Sequence, residues 1–223
     1  MNPLLTDEEV RALGALVEKS LTTPEYYPLS LNALKNACNQ KSSRDPVVEY
    51  GEDDVARALA GLRDKHLVWF VDAAGERVQK YRHRFPEAYD LAPEEAAVMA
   101  VLLLRGPQTP GEIRGRTGRL HEFASVEEVE SALEALASRE EEPLVVRLPR
   151  QPGRKEHRYA HTLCGVPDVP EESAAAVPRE PEAVARARSD RDRLAALEEE
   201  VASLRAEVST LREALERFRG QFE

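Results

Sequence analysis

The stretch TTPEYYPLSLNALKNACNQKSSRDP, residues 22–46, decides the fold because it combines a turn, a short amphipathic helix and a polar exit. Ser30 stands where its hydroxyl can cap the first turn of a helix. Leu29 precedes that cap and Leu34 occupies the fourth helical position, and two apolar residues so placed staple a helix start. Leu34 and Cys38 share one helical face. The stretch therefore predicts a short helix that buries this face and ends near Cys38.

Helices and strands surround this segment in a fixed order. Before it, Thr6 and Glu9 form a capping box that begins a first helix. After it, a third helix is predicted from a stripe of apolar residues. That stripe consists of Val55, Leu59 and Leu62. Residues 67–71 and 79–85 then read as two strands joined by a turn. In the second strand, alternation predicts that Tyr81, His83 and Phe85 face the core and that Lys80, Arg82 and Arg84 point outward at strand spacing. Three helices followed by a hairpin predict a winged-helix domain over residues 1–88.

The same unit recurs further along the chain. DDVARALAGL at 53–62 aligns with EEVESALEAL at 127–136, and LVWFV at 67–71 aligns with LVVRL at 144–148. A second winged-helix domain is therefore predicted over residues 89–165. The expected fold class is mostly α with small β-hairpins (α+β), built from two tandem winged-helix domains.

Three longer strings carry a resemblance to a known family. They are LGALVEKSLTTPEYYPLSLNALKNACNQKSSRDPV, LLLRGPQTPGEIR and LVVRLPRQPGRKEHRYAH. Together they resemble the YceH-like family, bacterial proteins of unknown function with tandem winged-helix folds. The resemblance spans roughly residues 5–165 and implies the fold. It brings no substrate, cofactor or catalytic residue, so function has to be argued from the scaffold and its charges.

The composition changes after residue 165. Residues 166–183 are rich in Pro, Glu and Ala, which predicts an extended linker. Residues 184–220 carry a heptad repeat, which predicts a coiled-coil helix. A surface helix that packs on its own domain is the alternative. The predicted dimerisation seam consists of Leu194, Leu197, Val201, Leu204, Val208, Leu211, Leu215 and Phe218.

The charges beside this seam favour a parallel homodimer. In a parallel pair, each flanking residue meets an opposite charge of the partner helix, as in Glu200 with Arg205. An antiparallel pair would set Glu200 against Glu207. Each such pair contributes only a few tenths of a kcal/mol, but all of them differ in sign between the two orientations.

The overall composition limits the function classes. The formal net charge is −10, and none of the blocks 1–88, 89–165 and 166–223 is basic, which weakens the electrostatic signature of a nucleic-acid binder. Two cysteines in a chain of 223 residues indicate a reducing compartment. The start of the chain has no signal-peptide pattern, and no apolar run is long enough to span a membrane. We expect a cytoplasmic protein without a membrane partner.

Two functions fit this scaffold. The first is a dimeric helix-turn-helix protein that binds double-stranded DNA and regulates transcription. Its candidate phosphate contacts are Lys41, Arg44, Lys80, Arg82, Arg84, Arg150, Arg154 and Lys155. The second is a protein–protein interaction scaffold for an unidentified partner, without DNA. Acidic residues at the start of each third helix, such as Glu52 and Glu128, argue against DNA because they repel phosphate.

No catalytic constellation is complete in the sequence, so we expect a non-enzymatic protein without a cofactor. His157, His161 and Cys164 have the chemistry of zinc ligands, but no fourth ligand lies near them in sequence. We therefore predict no metal site. Cys38 lies on the apolar stripe of the second helix, where a small core residue is expected.

Overall fold

A computed structural model describes residues 4–71, 78–140, 142–150 and 156–165. All of these residues belong to one compact unit, residues 1–171. The predicted linker and coiled coil, with the seam from Leu194 to Phe218, lie outside the described residues, as do the candidates Arg154 and Lys155. None of the helices that the structure describes is long and apolar enough to cross a membrane.

The described residues form seven α-helices and two small antiparallel sheets, which confirms the predicted mostly helical α+β class. The helices are α1 (Asp7–Thr22), α2 (Leu31–Cys38), α3 (Glu52–Asp64), α4 (Phe85–Tyr89), α5 (Pro93–Arg105), α6 (Pro110–Thr117) and α7 (Val126–Ala137). The strands are β1 (Leu29–Ser30), β2 (Val68–Val71), β3 (Lys80–His83), β4 (Val145–Arg147) and β5 (Tyr159–His161). We call α1 to α4 with β1 to β3 the first repeat, and α5 to α7 with β4 and β5 the second repeat.

Helix starts in the first repeat follow the predicted caps. The Thr6 hydroxyl accepts a hydrogen bond from the Glu9 N–H at 3.3 Å, and the Glu9 carboxylate accepts one from the Thr6 N–H at 2.8 Å. Ser30 caps α2 in the same way, through the N–H of Ala33 at 3.3 Å. Leu29 and Leu34 are both buried. These side chains satisfy N–H groups that a helix start otherwise leaves unpaired.

The first repeat closes with a three-stranded sheet in the order β1-β3-β2. Trp69 pairs with Arg82, and the next pair along the strands is Phe70 with Tyr81. Leu29 of β1 pairs with Tyr81 from the other side. Since side chains alternate between the faces of a strand, this register sends Trp69 and Arg82 to one face and Phe70 and Tyr81 to the other.

The predicted strand over residues 79–85 is too long. The strand ends at His83, and Phe85 begins the short helix α4 instead. Pro86 gives the physical reason, because a proline near a helix start has the right φ angle and no N–H to offer a neighbouring strand. The predicted inward residues nevertheless remain buried, with Phe85 completely covered.

The second repeat follows the same order of elements. Thr109 and Glu112 form the capping box of α6, through hydrogen bonds of 3.2 and 2.9 Å. Gly106 ends α5 at φ 67°, a left-handed conformation that glycine adopts without strain. Gln108 forms an isolated bridge with Tyr159 of β5. This bridge corresponds to the pairing of β1 with β3 in the first repeat.

One continuous hydrophobic core joins the two repeats. Helices α1 and α5 meet at Gly14, where a Cβ atom would lie 3.0 Å from side-chain carbons of Leu103 and Leu104. Backbone hydrogen bonds cross the same boundary, from the Leu5 N–H to the Leu163 oxygen at 2.7 Å and from the Asp45 N–H to the Leu104 oxygen at 2.9 Å. The two repeats therefore fold as one unit.

Candidate nucleic-acid interface

The β2–β3 hairpin presents an outward face that combines a tryptophan with arginines. We call Trp69, Arg82 and Arg84 the hairpin face. The Trp69 side chain remains 49% exposed. The Arg84 guanidinium lies 4.1 Å from the centre of the Trp69 ring, close enough for a cation–π interaction. Arg82 reaches Glu87 at 3.4 Å, and both side chains are about half exposed. Solvent screening makes such an ion pair weak, so Arg82 can exchange Glu87 for a phosphate.

The inward face of the same hairpin holds it on the body of the protein through His83. The Tyr27 hydroxyl oxygen accepts the His83 backbone N–H at 2.6 Å. The ring Nδ1 accepts the Phe85 N–H at 3.3 Å, so Nε2 carries the proton and donates it to the Ser20 hydroxyl at 2.8 Å. Burial lowers the pKa of His83 to about 4. A neutral histidine thus fixes the strand that carries the hairpin face.

Arg44 does not belong among the phosphate contacts, and this corrects the sequence-based hypothesis. Its side chain is fully buried, and its guanidinium binds both carboxylate oxygens of Glu18, at 3.0 and 2.6 Å. It also donates to the Ala37 carbonyl oxygen, which lies near the end of α2. Arg44 therefore joins α1 to α2. In the same segment, Lys41 is exposed, whereas Lys80 on the hairpin is half-buried.

Arg84 also differs from its predicted geometry. The sequence predicted Lys80, Arg82 and Arg84 as three cations at strand spacing. Because the strand ends at His83, Arg84 lies outside the strand register, and its guanidinium stacks over the Trp69 ring instead. Sequence reasoning missed Trp69 itself. The available signal was the position of Trp69 in the strand pattern LVWFV. Successive side chains of a strand point to opposite faces, so Trp69 lies on the face opposite to Val68 and Phe70.

The third helix of each repeat carries acidic residues, but the two helices differ. In α3, Glu52 lies 3.8 Å from Lys35, and Asp54 pairs with Arg57. Partners of opposite sign thus reduce the negative charge there. In α7 no basic residue occurs. The exposed face of α7 carries Glu127, Glu128, Glu130 and Glu134.

The remaining candidates lie in the second repeat. Arg150 is exposed and follows β4. Among the described residues, no three metal-ligating side chains lie together as a metal site would require. The His157 ring meets the Leu148 carbonyl oxygen at 3.1 Å, and Cys164 is exposed. Cys38 is completely buried, and burial raises the pKa of its thiol to about 12, so it packs as a core residue.

Comparison with known proteins gives a consistent family assignment. The profile of the family described as "Protein of unknown function, DUF480" matches residues 5–154. The chain is similar to a UPF0502 protein of Opitutus terrae, with 55% identity over 195 residues that cover 87% of this chain and 84% of the relative. It is also similar to the UPF0502 protein of Geobacter sulfurreducens, with 54% identity over the full length of both chains. A UPF0502 protein of Geobacter metallireducens is 55% identical, again over the full length of both.

Proposed function

The chain belongs to the DUF480 family of proteins of unknown function, and from this premise we propose that it is a non-enzymatic winged-helix protein that binds double-stranded DNA. On this proposal it acts as a dimeric transcription regulator in the cytoplasm. The observation that carries the proposal is the hairpin face, which offers two arginines beside an exposed tryptophan.

Element order supports the winged-helix part of the proposal. Three helices, a short strand before the second helix and a closing hairpin occur in the first repeat. The second repeat has the same order, with the bridge of Gln108 to Tyr159 in place of the first short strand. In a winged helix, the hairpin is the wing and the third helix faces the groove.

Electrostatics support the hairpin as the DNA contact. Arg82 and Arg84 extend from a hairpin whose other face is held by the buried His83, so their backbones are fixed before binding. A backbone that is fixed before binding adds no ordering cost of its own when the arginines bind phosphate. The acidic α7 would be repelled by the DNA backbone, and the proposal therefore assigns DNA contact to the first repeat alone.

A binding assay tests this function. Fluorescence anisotropy of labelled genomic duplex fragments, at two salt concentrations, should show binding that weakens with salt. In a variant with both Arg82→Gln and Arg84→Gln, the slope of log affinity against log salt should flatten by about 1.8, because two phosphate contacts are lost. Arg119→Gln, an exposed arginine after α6, is the matched control and should retain the slope. Wild-type protein without salt-dependent binding at low ionic strength would refute DNA binding.

The acidic face of α7 favours a second candidate, a protein-interaction scaffold. Four exposed glutamates on a helix without any basic residue suit a positively charged protein segment better than a nucleic acid. On this reading, the winged-helix fold remains but DNA is not bound. Two results together would favour the scaffold. The first is that the assay above detects no DNA binding. The second is that a Lys- and Arg-rich peptide binds in a salt-sensitive way and that Glu130→Gln and Glu134→Gln weaken this binding.

A further inference from the structure

A carboxylate occupies one of the two arginines of the hairpin face. Glu87 of α4 lies 3.4 Å from the Arg82 Nη2 atom, and both side chains are about half exposed. Arg84 differs, because its guanidinium lies over the Trp69 ring. Within the described part of the chain, no carboxylate lies at ion-pair distance from Arg84. Among these residues, the hairpin face therefore offers one arginine without a carboxylate and one that already pairs with an anion.

The protein holds Glu87 in place through α4, which follows β3 directly. Phe85 and Tyr89, two residues before and two after Glu87, are buried, and their rings pack edge to face with centroids 5.1 Å apart. At the end of α4, the Arg139 guanidinium of the second repeat donates to the Tyr89 backbone oxygen. The backbone of Glu87 is therefore fixed next to the strand that carries Arg82, and the pair forms without further ordering of the main chain.

We propose that Glu87 determines the specificity of the hairpin face by competing with phosphate for Arg82. A carboxylate presents oxygens to a guanidinium much as a phosphate does, so the two anions exclude each other at Arg82. A ligand with a single phosphate gains contact with Arg84 alone. A DNA strand brings neighbouring phosphates, and the phosphate that reaches Arg82 displaces Glu87. This inference rests on the DNA-binding function proposed above, and it names the residue that favours a polymer of phosphates over a single anion.

The exposure of the Arg82–Glu87 pair limits the size of the effect. Water and salt screen an exposed ion pair, so the pair contributes little to stability and is readily exchanged. Removal of the Glu87 charge should therefore strengthen phosphate binding at low ionic strength by about threefold to fivefold. The gain should shrink as salt is added, because salt screens the competing carboxylate and the phosphate alike.

Trp69 gives a direct test, because it is the single tryptophan of the chain and its fluorescence reports on anions bound at the hairpin face. Inorganic phosphate is titrated into the full-length protein at constant ionic strength, with sodium chloride as the reference. In Glu87→Gln, the midpoint of the phosphate titration should fall about threefold to fivefold below that of wild type. Glu122→Gln, which removes the same charge from an exposed residue after α6, should retain the wild-type midpoint. The competition is refuted if the two variants have the same midpoint.

A titration with a DNA duplex in phosphate-free buffer distinguishes competition from simple repulsion. In wild type, Glu87→Gln should strengthen duplex binding about threefold to fivefold. In the Arg82→Gln variant, the same change should strengthen it no more than Glu122→Gln does, because the arginine for which Glu87 competes is gone. An equal gain with and without Arg82 would mean that Glu87 only repels phosphate, and it would refute the competition.

The two titrations also separate this inference from the function on which it rests. If wild type binds the duplex and Glu87→Gln changes neither titration, DNA binding stands and the competition fails. If neither wild type nor Glu87→Gln binds the duplex but Glu87→Gln lowers the phosphate midpoint, the DNA-binding proposal fails and the competition at Arg82 stands.

Discussion

The buried His83 predicts a loss of stability in mild acid. Its ring has no place for a second proton, because Nδ1 faces the Phe85 N–H and Nε2 already donates to Ser20. Protonation of Nδ1 would place its N–H against the Phe85 N–H, so that two donors face each other, and would put a positive charge in the core. The pKa of His83 accordingly falls from 6.5 in an unfolded chain to about 4 in the folded protein.

The sign and the size of the effect follow from these two pKa values. Between them the unfolded chain binds more protons than the folded protein, so the free energy of unfolding falls as the pH falls. From pH 7 to pH 5 the loss is about 2 kcal/mol for His83. Burial also lowers the pKa of His161 to about 4, so this second histidine adds a loss in the same range. The free energy of unfolding of a typical protein is about 5–15 kcal/mol, so a loss of this size is readily measured.

Urea unfolding at pH 7, 6 and 5 measures this loss directly. The His83→Gln variant should start less stable but show a flatter dependence on pH, because the titrating group is gone. The control His121→Gln, which changes a half-exposed histidine, should keep the wild-type dependence. A wild-type free energy of unfolding that stays constant from pH 7 to pH 5 would refute the assigned proton positions.

Three further predictions follow from the packing and from the heptad pattern. Light scattering should give a dimer for the full chain and a monomer for a chain that ends at Gly165, and a dimeric truncated chain would place the interface in the repeats. Gly14→Val should lower the free energy of unfolding by about 1–3 kcal/mol, because the new side chain has no room between α1 and α5. The control Gly115→Val should change this free energy by less than about 0.5 kcal/mol, because no atom lies within 4 Å of the Cβ position at Gly115. Glu18→Gln should cost about 3 kcal/mol in a urea melt because it leaves the buried Arg44 without its carboxylate, and an unchanged melt would mean that Arg44 is hydrated.

Local signals in the sequence were sufficient for the helix starts. Thr6 and Ser30 each cap a helix through a residue three positions later, so the interaction is contained within one turn and needs no tertiary partner. The order of helices and strands in both repeats could be predicted from the sequence for the same reason. Its period of apolar residues depends on local geometry alone.

The candidate site was only partly predictable, because charge alone does not say whether a side chain is covered. Arg44 follows a polar run and looks like a solvated loop residue, yet Glu18 from another helix binds it in the interior. Trp69 looks like a core residue and is half exposed beside Arg84. In both cases the outcome depends on contacts between segments distant in sequence, which no local pattern records.

The contact of α1 with α5 at Gly14 has a consequence for how this protein can vary. Each repeat uses the other to cover a helix, so a chain cut between them would expose Leu103 and Leu104 to water. We therefore expect the two repeats to be inherited together, because the pair is the smallest part of the chain that can fold. The family match over residues 5–154 includes all of the first repeat and the second repeat through β4.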